Sequence, residues 1–190
     1  MAGANGLRAV LLGAPGSGKG TQAERLSAAL GLPSISTGEM LRQAVADGSE
    51  LGARVKSVMA AGELVADDLM AAVVRERLAR PDAAAGFLLD GFPRTPAQAG
   101  TLDEILAEAG KAVDAVLLLE VPEHVLVERA LARRRADDRE EVVRERLRVY
   151  RQKTEPLVEL YERRGLLRRV DGHRAIEQIT ASLIAALGRS

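Results

Sequence analysis

The sequence predicts an α/β protein in which a parallel five-stranded sheet carries helices on both faces. Short apolar runs alternate with longer helical patterns along the chain, as in parallel strands joined by helices. The run at residues 9–12 is apolar throughout, which is typical of a central strand buried on both faces. With 190 residues, 47% of them hydrophobic, the chain suits one domain with a sizeable core.

The elements follow one another at regular intervals. In chain order, strands are expected at residues 8–13, 33–35, 87–90, 112–121 and 167–170. Helices are expected after the glycine-rich loop, from residue 37, over 50–61, from Pro96, from Pro122, over most of 129–151, from Pro156, and over 176–187. A further helix is expected before Pro81, with Asp67 or Asp68 as its N-terminal cap. Ligands bind such sheets at the carboxyl ends of their strands, so these loops are expected to share one rim: 13–21, 36–39, 90–94 and 171–174.

Several helix boundaries have a clear local cause. Ser36 and Glu39 have the spacing of a capping box, which opens a helix. Thr95 stands directly before a proline that suits the first helical position. Pro156 lies inside a long helical pattern, where it is expected to kink the helix or restart it. Gly165 then ends that pattern.

Composition excludes several classes of protein. The formal net charge is zero, which argues against a protein that coats polyanions, and 2% aromatic residues argue against one that stacks nucleic-acid bases. The chain has no cysteine, so disulfides and cysteine-based zinc sites are excluded. The apolar run at residues 9–12 is too short for a signal peptide or a membrane span. We expect a monomeric cytoplasmic enzyme without nucleic-acid or membrane partners.

The most informative stretch is Gly-Ala-Pro-Gly-Ser-Gly-Lys-Gly-Thr at residues 13–21. Its glycines allow backbone N–H groups to converge at the positive end of a helix, where an anion fits. Lys19 adds a charge that can reach outer phosphate oxygens. The spacing Gly-x-x-x-x-Gly-Lys between a strand and a helix is that of a P-loop, so the predicted fold is of the P-loop NTPase type. Thr21 supplies the hydroxyl one place later than usual; the alternative is a glycine-rich turn before a helix.

A second candidate group begins at Asp90, which closes an apolar strand. An acid at this position beside a P-loop positions Mg²⁺, although a turn residue is the alternative. The run Asp-Gly-Phe-Pro-Arg at residues 90–94 is more specific.

Six stretches closely resemble the adenylate kinases, and the resemblance runs in order along nearly the whole chain. They lie at residues 13–22, 36–42, 89–95, 135–138, 144–147 and 170–172. Together they are specific to nucleoside monophosphate kinases, and less so to the adenine member.

The resemblance implies reversible phosphoryl transfer from Mg·ATP to AMP, giving two ADP. It implies one kinase domain over residues 1–190, with a mobile monophosphate-binding segment at 36–66 and a lid over ATP at 128–139. The family has long lids, often zinc-bearing, and short ones. The space between Arg133 and Asp137 allows only a short lid, and structural zinc is not expected.

The same resemblance implies roles for individual residues. Catalysis would fall to Lys19, Asp90, Arg94, Arg129, Arg135 and Arg146. ATP would be bound by Gly16, Ser17, Gly18, Lys19, Gly20, Thr21, Arg129, Arg133, Gly172 and Arg174. AMP would be bound by Thr37, Gly38, Arg42, Glu63, Val65, Gly91, Arg94, Gln98, Arg135 and Arg146. No side chain is expected to bind metal directly, because Mg²⁺ would be held by nucleotide phosphates and water near Asp90.

Each assignment has a simpler alternative. Arg42 could favour the C-terminus of its helix, and Thr37 could serve the helix start. Gln98 fits a capping box with Thr95 as well as an adenine contact, and both can hold. For a further set the solvated face of a charged helix is the preferred interpretation: Arg139, Arg144, Arg148 and Arg151.

One position departs from the family pattern, and two rival functions stay open. Short-lid members usually read Arg-Gly-Arg where this chain has Arg133, Arg134 and Arg135. One rival is a kinase for UMP or CMP, which Thr37 and Gln98 disfavour because pyrimidine-selective relatives usually differ there. The other is a non-catalytic nucleotide sensor, which the full set of arginines and Asp90 disfavours.

Overall fold

The computed structural model of the chain describes residues 6–133 and 139–188. Its sheet is parallel, and in spatial order its five strands run β2-β3-β1-β4-β5. The strands are β1 (Arg8–Leu12), β2 (Ser34–Ser36), β3 (Phe87–Asp90), β4 (Ala115–Glu120) and β5 (Leu167–Asp171). The predicted fold class, a P-loop NTPase-type sheet, is confirmed.

The helices connect these strands and cover both faces of the sheet. They are α1 (Lys19–Leu30), α2 (Thr37–Ala46), α3 (Glu50–Ala61), α4 (Asp67–Leu78), α5 (Pro96–Ala107), α6 (Glu123–Ala132), α7 (Glu140–Val149), α8 (Pro156–Arg163) and α9 (Ile176–Ala186). A 3₁₀ turn at Pro81–Ala83 follows α4, and a π-helical turn at Tyr150–Thr154 joins α7 to α8.

The core lies on the two sides of β1, whose side chains alternate between them. Val10 and Leu12 point into the larger cluster, which includes Leu102 and Tyr161. Ala9 and Leu11 belong to the other cluster, which α1 and α9 cover. Burying one of these leucines stabilises the fold by roughly 2 kcal/mol.

Most helix boundaries follow their predicted causes. The Ser36 hydroxyl accepts a hydrogen bond from the N–H of Glu39 at 3.4 Å, and that of Thr95 accepts one from the N–H of Gln98 at 3.2 Å. The helix after Pro156 restarts there as predicted. The predicted aspartate cap of α4 is wrong. Ala66 holds the cap position, and Asp67 is already the first helical residue.

Two predicted boundaries shift. The strand expected at residues 112–121 is shorter, because β4 begins only at Ala115, where it pairs with Ala9 of β1. The helix expected over most of residues 129–151 is divided: α6 ends at Ala132 and α7 begins at Glu140. Leu126 and Ala130 of α6 pack against Val143 and Leu147 of α7 in a third small cluster. Pairing and packing therefore decide where these patterns stop.

Candidate active site

A cavity of about 530 Å³ opens at the carboxyl ends of the strands. Three of the four loops predicted to share this rim meet there extensively; from residues 171–174 only Arg174 is in the wall. Among the described residues that line the cavity, positive charge exceeds negative charge. The cationic ones are Lys19, Arg42, Arg94, Arg129, Arg133, Arg146 and Arg174, and the acidic ones are Glu39, Glu63 and Asp90. This excess favours a ligand with several negative charges.

The glycine-rich loop between β1 and α1 lies along one side of the cavity. Gly16 has a φ of 86°, and a Cβ there would lie 2.3 Å from the carbonyl oxygen of Leu126. No other residue type fits this approach, so the loop stays close to α6. No side chain among the described residues caps α1, which leaves the helix N-terminus to an incoming anion.

Lys19 is the first residue of α1, and its side chain folds back over the loop. Its ammonium group donates hydrogen bonds to the carbonyl oxygens of Gly13 at 2.7 Å and Ala14 at 3.2 Å. The charge is therefore held above the loop and beside the open helix end, where both act on the same anion.

Asp90 ends β3, where it pairs with Leu11 of the neighbouring strand β1, just before the glycine-rich loop. In the described part of the chain, its Oδ1 is buried and accepts no hydrogen bond, and the same holds for the hydroxyl of Ser17. A carboxylate oxygen left without a donor is suited to a hard cation or to the water molecules around one. The residues present therefore fit a Mg²⁺ ion.

Arg94 forms part of the floor of the cavity, and its Nε donates a hydrogen bond to the carbonyl oxygen of Gly91 at 2.8 Å. Burial lowers the pKa of its guanidinium. Asp90 acts in the opposite direction, and the positive charge of Arg146 lowers the pKa further. Arg94 and Arg146 repel each other near the carboxylate of Asp90, and a bound anion is stabilised by two such guanidinium groups.

Arg42 and Thr37 bring α2 to the same floor. A Cβ at Gly38 would lie 3.3 Å from a terminal nitrogen of Arg42, so the guanidinium folds back over the helix start. The helix has no basic residue in its last turn, and the C-terminal alternative for Arg42 is wrong. The hydroxyl of Thr37, which is 1% exposed, donates to the carbonyl oxygen of Asp90 at 3.4 Å.

The turn between β3 and α5 is held close to α2. Gly91 has a φ of 85°, and a Cβ there would lie 2.6 Å from the hydroxyl oxygen of Thr37 and 3.3 Å from Nη2 of Arg94. Glycine is therefore required both by the backbone conformation and by the space.

Gln98 is both a helix-start residue and part of the cavity wall, and it is 2% exposed. Its N–H donates to the Thr95 hydroxyl, as the capping interpretation requires. Its side-chain Oε1 accepts from the N–H of Arg94 at 2.7 Å, and its Nε2 donates to Oδ1 of Asp67 at 2.7 Å. One lone pair of the amide oxygen and one N–H of the amide nitrogen are left by these bonds.

The other end of the cavity lies between α6 and the loop after β5. Arg129 donates to the carbonyl oxygen of Gly172 at 2.9 Å, which ties the two elements together. Arg133 and Arg174 line this end, and both are exposed. Gly172 itself is buried behind Arg129 rather than in the cavity wall.

The structure gathers the sequence-predicted site residues with few exceptions. Apart from Gly172, every described member lines the cavity, including Gly20, Thr21, Glu63 and Val65. Arg135 lies outside the described residues, as do the other lid residues at 134 and 136–138. The arginines assigned to a solvated helix face do lie there: Arg144 pairs with Glu140, Arg148 with Glu145, and Arg151 with Glu123, and Arg139 is exposed.

Sequence reasoning missed two polar residues at the site. Gln22 is 2% exposed, donates to the carbonyl oxygen of Ile176 at 3.1 Å and accepts from the hydroxyl of Thr180 at 2.8 Å, which joins α1 to α9. Its place beside Ala23 on the apolar face of α1 was the available signal. Asp67 was predicted only as one of two possible helix caps; it lies behind the cavity wall, where its carboxylate accepts a hydrogen bond from Gln98.

Among the described residues, no three His, Cys, Asp or Glu side chains gather as a metal-binding group. No helix in that part of the chain is long and apolar enough to cross a membrane.

Comparison with known proteins finds one family. A family model described as Adenylate kinase matches residues 11–166. An adenylate kinase of Stenotrophomonas maltophilia (strain R551-3) is 50% identical over 185 residues, which cover 95% of this chain and 99% of the relative. Adenylate kinase 1 of Synechocystis sp. is 52% identical over 183 residues, covering 96% and 97%. The Thermobifida fusca adenylate kinase is 50% identical over 185 residues, covering 95% and 98%.

Proposed function

This chain belongs to the adenylate kinase family and is a phosphotransferase, and we propose that its cavity holds ATP and AMP together for reversible phosphoryl transfer that yields two ADP. The observation that carries the proposal is the excess of cationic side chains around one cavity, with the glycine-rich loop at one side and the Arg94 floor at the other. A phosphate donor and a phosphate acceptor both need such surroundings.

The chemistry requires positioning more than proton transfer. The attacking oxygen of a monophosphate is already charged at neutral pH, so a general base is unnecessary. The difficulty is repulsion, since two unit charges about 4 Å apart repel by about 1 kcal/mol in water and by several times more near a protein interior. Arginine forks that converge on both phosphates offset this repulsion and hold the reacting atoms in line.

We assign ATP to the loop and to the end of the cavity formed by α6 and the loop after β5. Lys19 follows the transferred group, Arg129 and Arg133 bind the ATP phosphates, and Arg174 lies at the edge of this end. Support comes from the Lys19 bonds over the loop and from the Arg129 bond to Gly172. The other proposed ATP contacts come from the loop and its neighbour: Gly16, Ser17, Gly18, Gly20, Thr21 and Gly172.

We assign AMP to the floor and to the segment at residues 36–66. Arg42 and Arg94 bind its phosphate, Arg146 lies at the transferring group, and Thr37 and Gln98 face the adenine. The electrostatic contact of Arg94 with Arg146 supports a shared anion there. The remaining proposed AMP contacts are Gly38, Glu63, Val65 and Gly91, with Arg135 carried over from the sequence alone.

Magnesium would enter with ATP near Asp90, whose Oδ1 has no hydrogen-bond donor among the described residues. When bound, the ion would neutralise part of the phosphate charge. Asp90 would hold it through water and keep it beside the loop. Structural zinc has no role in this proposal.

The further proposals concern organisation and setting. Residues 36–66 would close over AMP and residues 128–139 over ATP, within one kinase domain at 1–190. We propose a monomer in the cytoplasm with no nucleic-acid or membrane partner, supported by the zero net charge and the absence of cysteine. Light scattering of the purified chain tests its oligomeric state.

A coupled assay that supplies ATP with each monophosphate in turn tests the reaction. Turnover with AMP well above that with UMP or CMP is expected. Equal use of all three would remove the adenine assignment and keep the kinase class. ATP binding without turnover of any monophosphate would favour the alternative function, a non-catalytic nucleotide sensor.

A further inference from the structure

The side-chain amide of Gln98 is hydrogen-bonded at both its oxygen and its nitrogen. One partner can only donate a hydrogen bond and the other can only accept one. The N–H of Arg94 can only donate, and it lies 2.7 Å from Oε1. An ionised Asp67 can only accept, and its Oδ1 lies 2.7 Å from Nε2. Turning the amide over would place an NH₂ against an N–H and an oxygen against a carboxylate. Each contact would then be repulsive, so the two partners select one orientation.

The orientation of the amide decides which purine it can pair with, because the two classes of purine present donor and acceptor in opposite order. Adenine presents an acceptor at N1 and a donor at N6. A 6-oxopurine presents a donor at N1 and an acceptor at O6. The free N–H and the free lone pair of the amide suit adenine in one orientation and a 6-oxopurine when the amide is turned over.

Asp67 is the exposed member of this group, whereas Gln98 is 2% exposed. The Arg94 N–H belongs to the backbone and is fixed by the turn between β3 and α5. The carboxylate of Asp67 therefore makes the reversed amide unfavourable at the position that the amide nitrogen now holds.

We propose that Asp67 is a positioning residue for base selection, which acts through Gln98 to favour adenine over 6-oxopurines in the acceptor site. The inference rests on the proposed function, in which Gln98 faces the base of the monophosphate. Asp67 itself does not line the cavity and so does not touch the nucleotide.

The test compares AMP with inosine monophosphate, a 6-oxopurine nucleotide, as acceptors for the wild type and for Asp67→Ala. Where turnover of inosine monophosphate is too slow, its inhibition constant against AMP replaces kcat/KM. The preference for AMP is expected to fall about five- to tenfold, because a hydrogen bond to a charged group is lost. The KM for ATP is expected to stay unchanged.

Two variants separate positioning from structure. Asp68→Ala removes the neighbouring acid from the same first turn of α4 and is expected to keep the wild-type preference. Asp67→Asn retains an acceptor oxygen, and its preference should lie closer to the wild type than that of Asp67→Ala. Circular dichroism melts establish that each variant is folded at the assay temperature.

The outcomes distinguish a failure of the proposed function from a failure of the role of Asp67. Equal use of both nucleotides by the wild type would overturn the adenine site of the proposed function and this inference with it. A wild type that discriminates, together with an unchanged preference in Asp67→Ala, would overturn the inference alone. An equal loss of preference in Asp68→Ala would do the same, since it would reveal an effect of helix α4 as a whole.

Discussion

The ammonium group of Lys19 donates a 2.7 Å hydrogen bond to the carbonyl oxygen of Gly13, six residues earlier at the start of the glycine-rich loop. The bond closes the loop on itself and fixes the position of the charge. The N-terminus of α1 lies directly beside it, so the charge and the helix end act together on one anion.

Lys19→Met is expected to lower kcat by about 10²–10³ while the fold is retained, because a donor aimed at transition-state charge is lost. Steady-state kinetics and a thermal melt measure the two effects. Lys111→Met is the matched control, since this lysine bonds to the carbonyl oxygen of Ala84 away from the cavity. A folded Lys19→Met variant with near-wild-type kcat would contradict the P-loop assignment.

Gln98→Ala is expected to lower kcat/KM for AMP by about tenfold to a hundredfold, since up to two hydrogen bonds to the base are removed. The KM for ATP should change much less. Gln43→Ala serves as the control, because this exposed amide also bonds to a carboxylate, that of Asp47 at 2.7 Å. An equal effect on both nucleotides would argue that Gln98 supports the site only as a structural residue.

Arg42→Ala is expected to raise the KM for AMP by about tenfold to a hundredfold through the loss of a charge-assisted bond to phosphate. Arg148→Ala should leave both KM values unchanged, because that arginine pairs with Glu145 on the solvated face of α7. The same kinetic assay covers both variants. A change of similar size in Arg148→Ala would show that the effect reflects overall charge.

The two tyrosines of the chain predict a loss of stability at high pH. Burial raises the pKa of Tyr150 from 10.0 to about 12, and the charges of Glu155 and Glu120 add to the effect. Burial also raises the pKa of Tyr161. A folded-state pKa above the unfolded value gives stability that is complete below pH 10 and is lost as the pH rises toward 12.

The contribution of Tyr150 is at most about 2 kcal/mol once solvent screening is allowed for. Urea unfolding between pH 9 and pH 12 measures the loss, and absorbance at 295 nm follows phenolate formation. Tyr150→Phe is expected to flatten part of the pH dependence. Phenolate absorbance that develops near pH 10 in the folded protein would contradict the burial argument.

Local signals in the sequence predicted the strands, most helix starts and the part of the cavity wall that the glycine-rich loop forms. They succeed where the cause is local: the Thr95 cap lies three residues from its donor, and the glycine-rich loop is one continuous run. The arginine assignments came from the family resemblance and not from the residues alone. From the residues alone, Arg42 could either interact with the C-terminus of its helix or bind a phosphate.

Contacts between distant residues account for what the sequence did not predict. The local sequence predicts Asp67 as a helix cap. It does not predict the hydrogen bond to Gln98, because Gln98 lies 31 positions further along the chain. The β4 strand starts later than its apolar pattern, because strand pairing with β1 begins at Ala115. Both outcomes depend on the packing of separate segments, which a local pattern does not contain.

The uneven placement of charge has a consequence for how nucleotides arrive. Away from the cavity, arginines such as Arg8 and Arg164 pair with Asp114 and Asp103, so their fields largely cancel beyond one Debye length, about 8 Å at physiological salt. At the mouth of the cavity the positive excess is concentrated between low-dielectric walls, which focus the field outward. A protein without net charge should therefore still capture anions by steered diffusion. Stopped-flow association rates for ATP should fall with rising ionic strength, as they do for strongly cationic proteins.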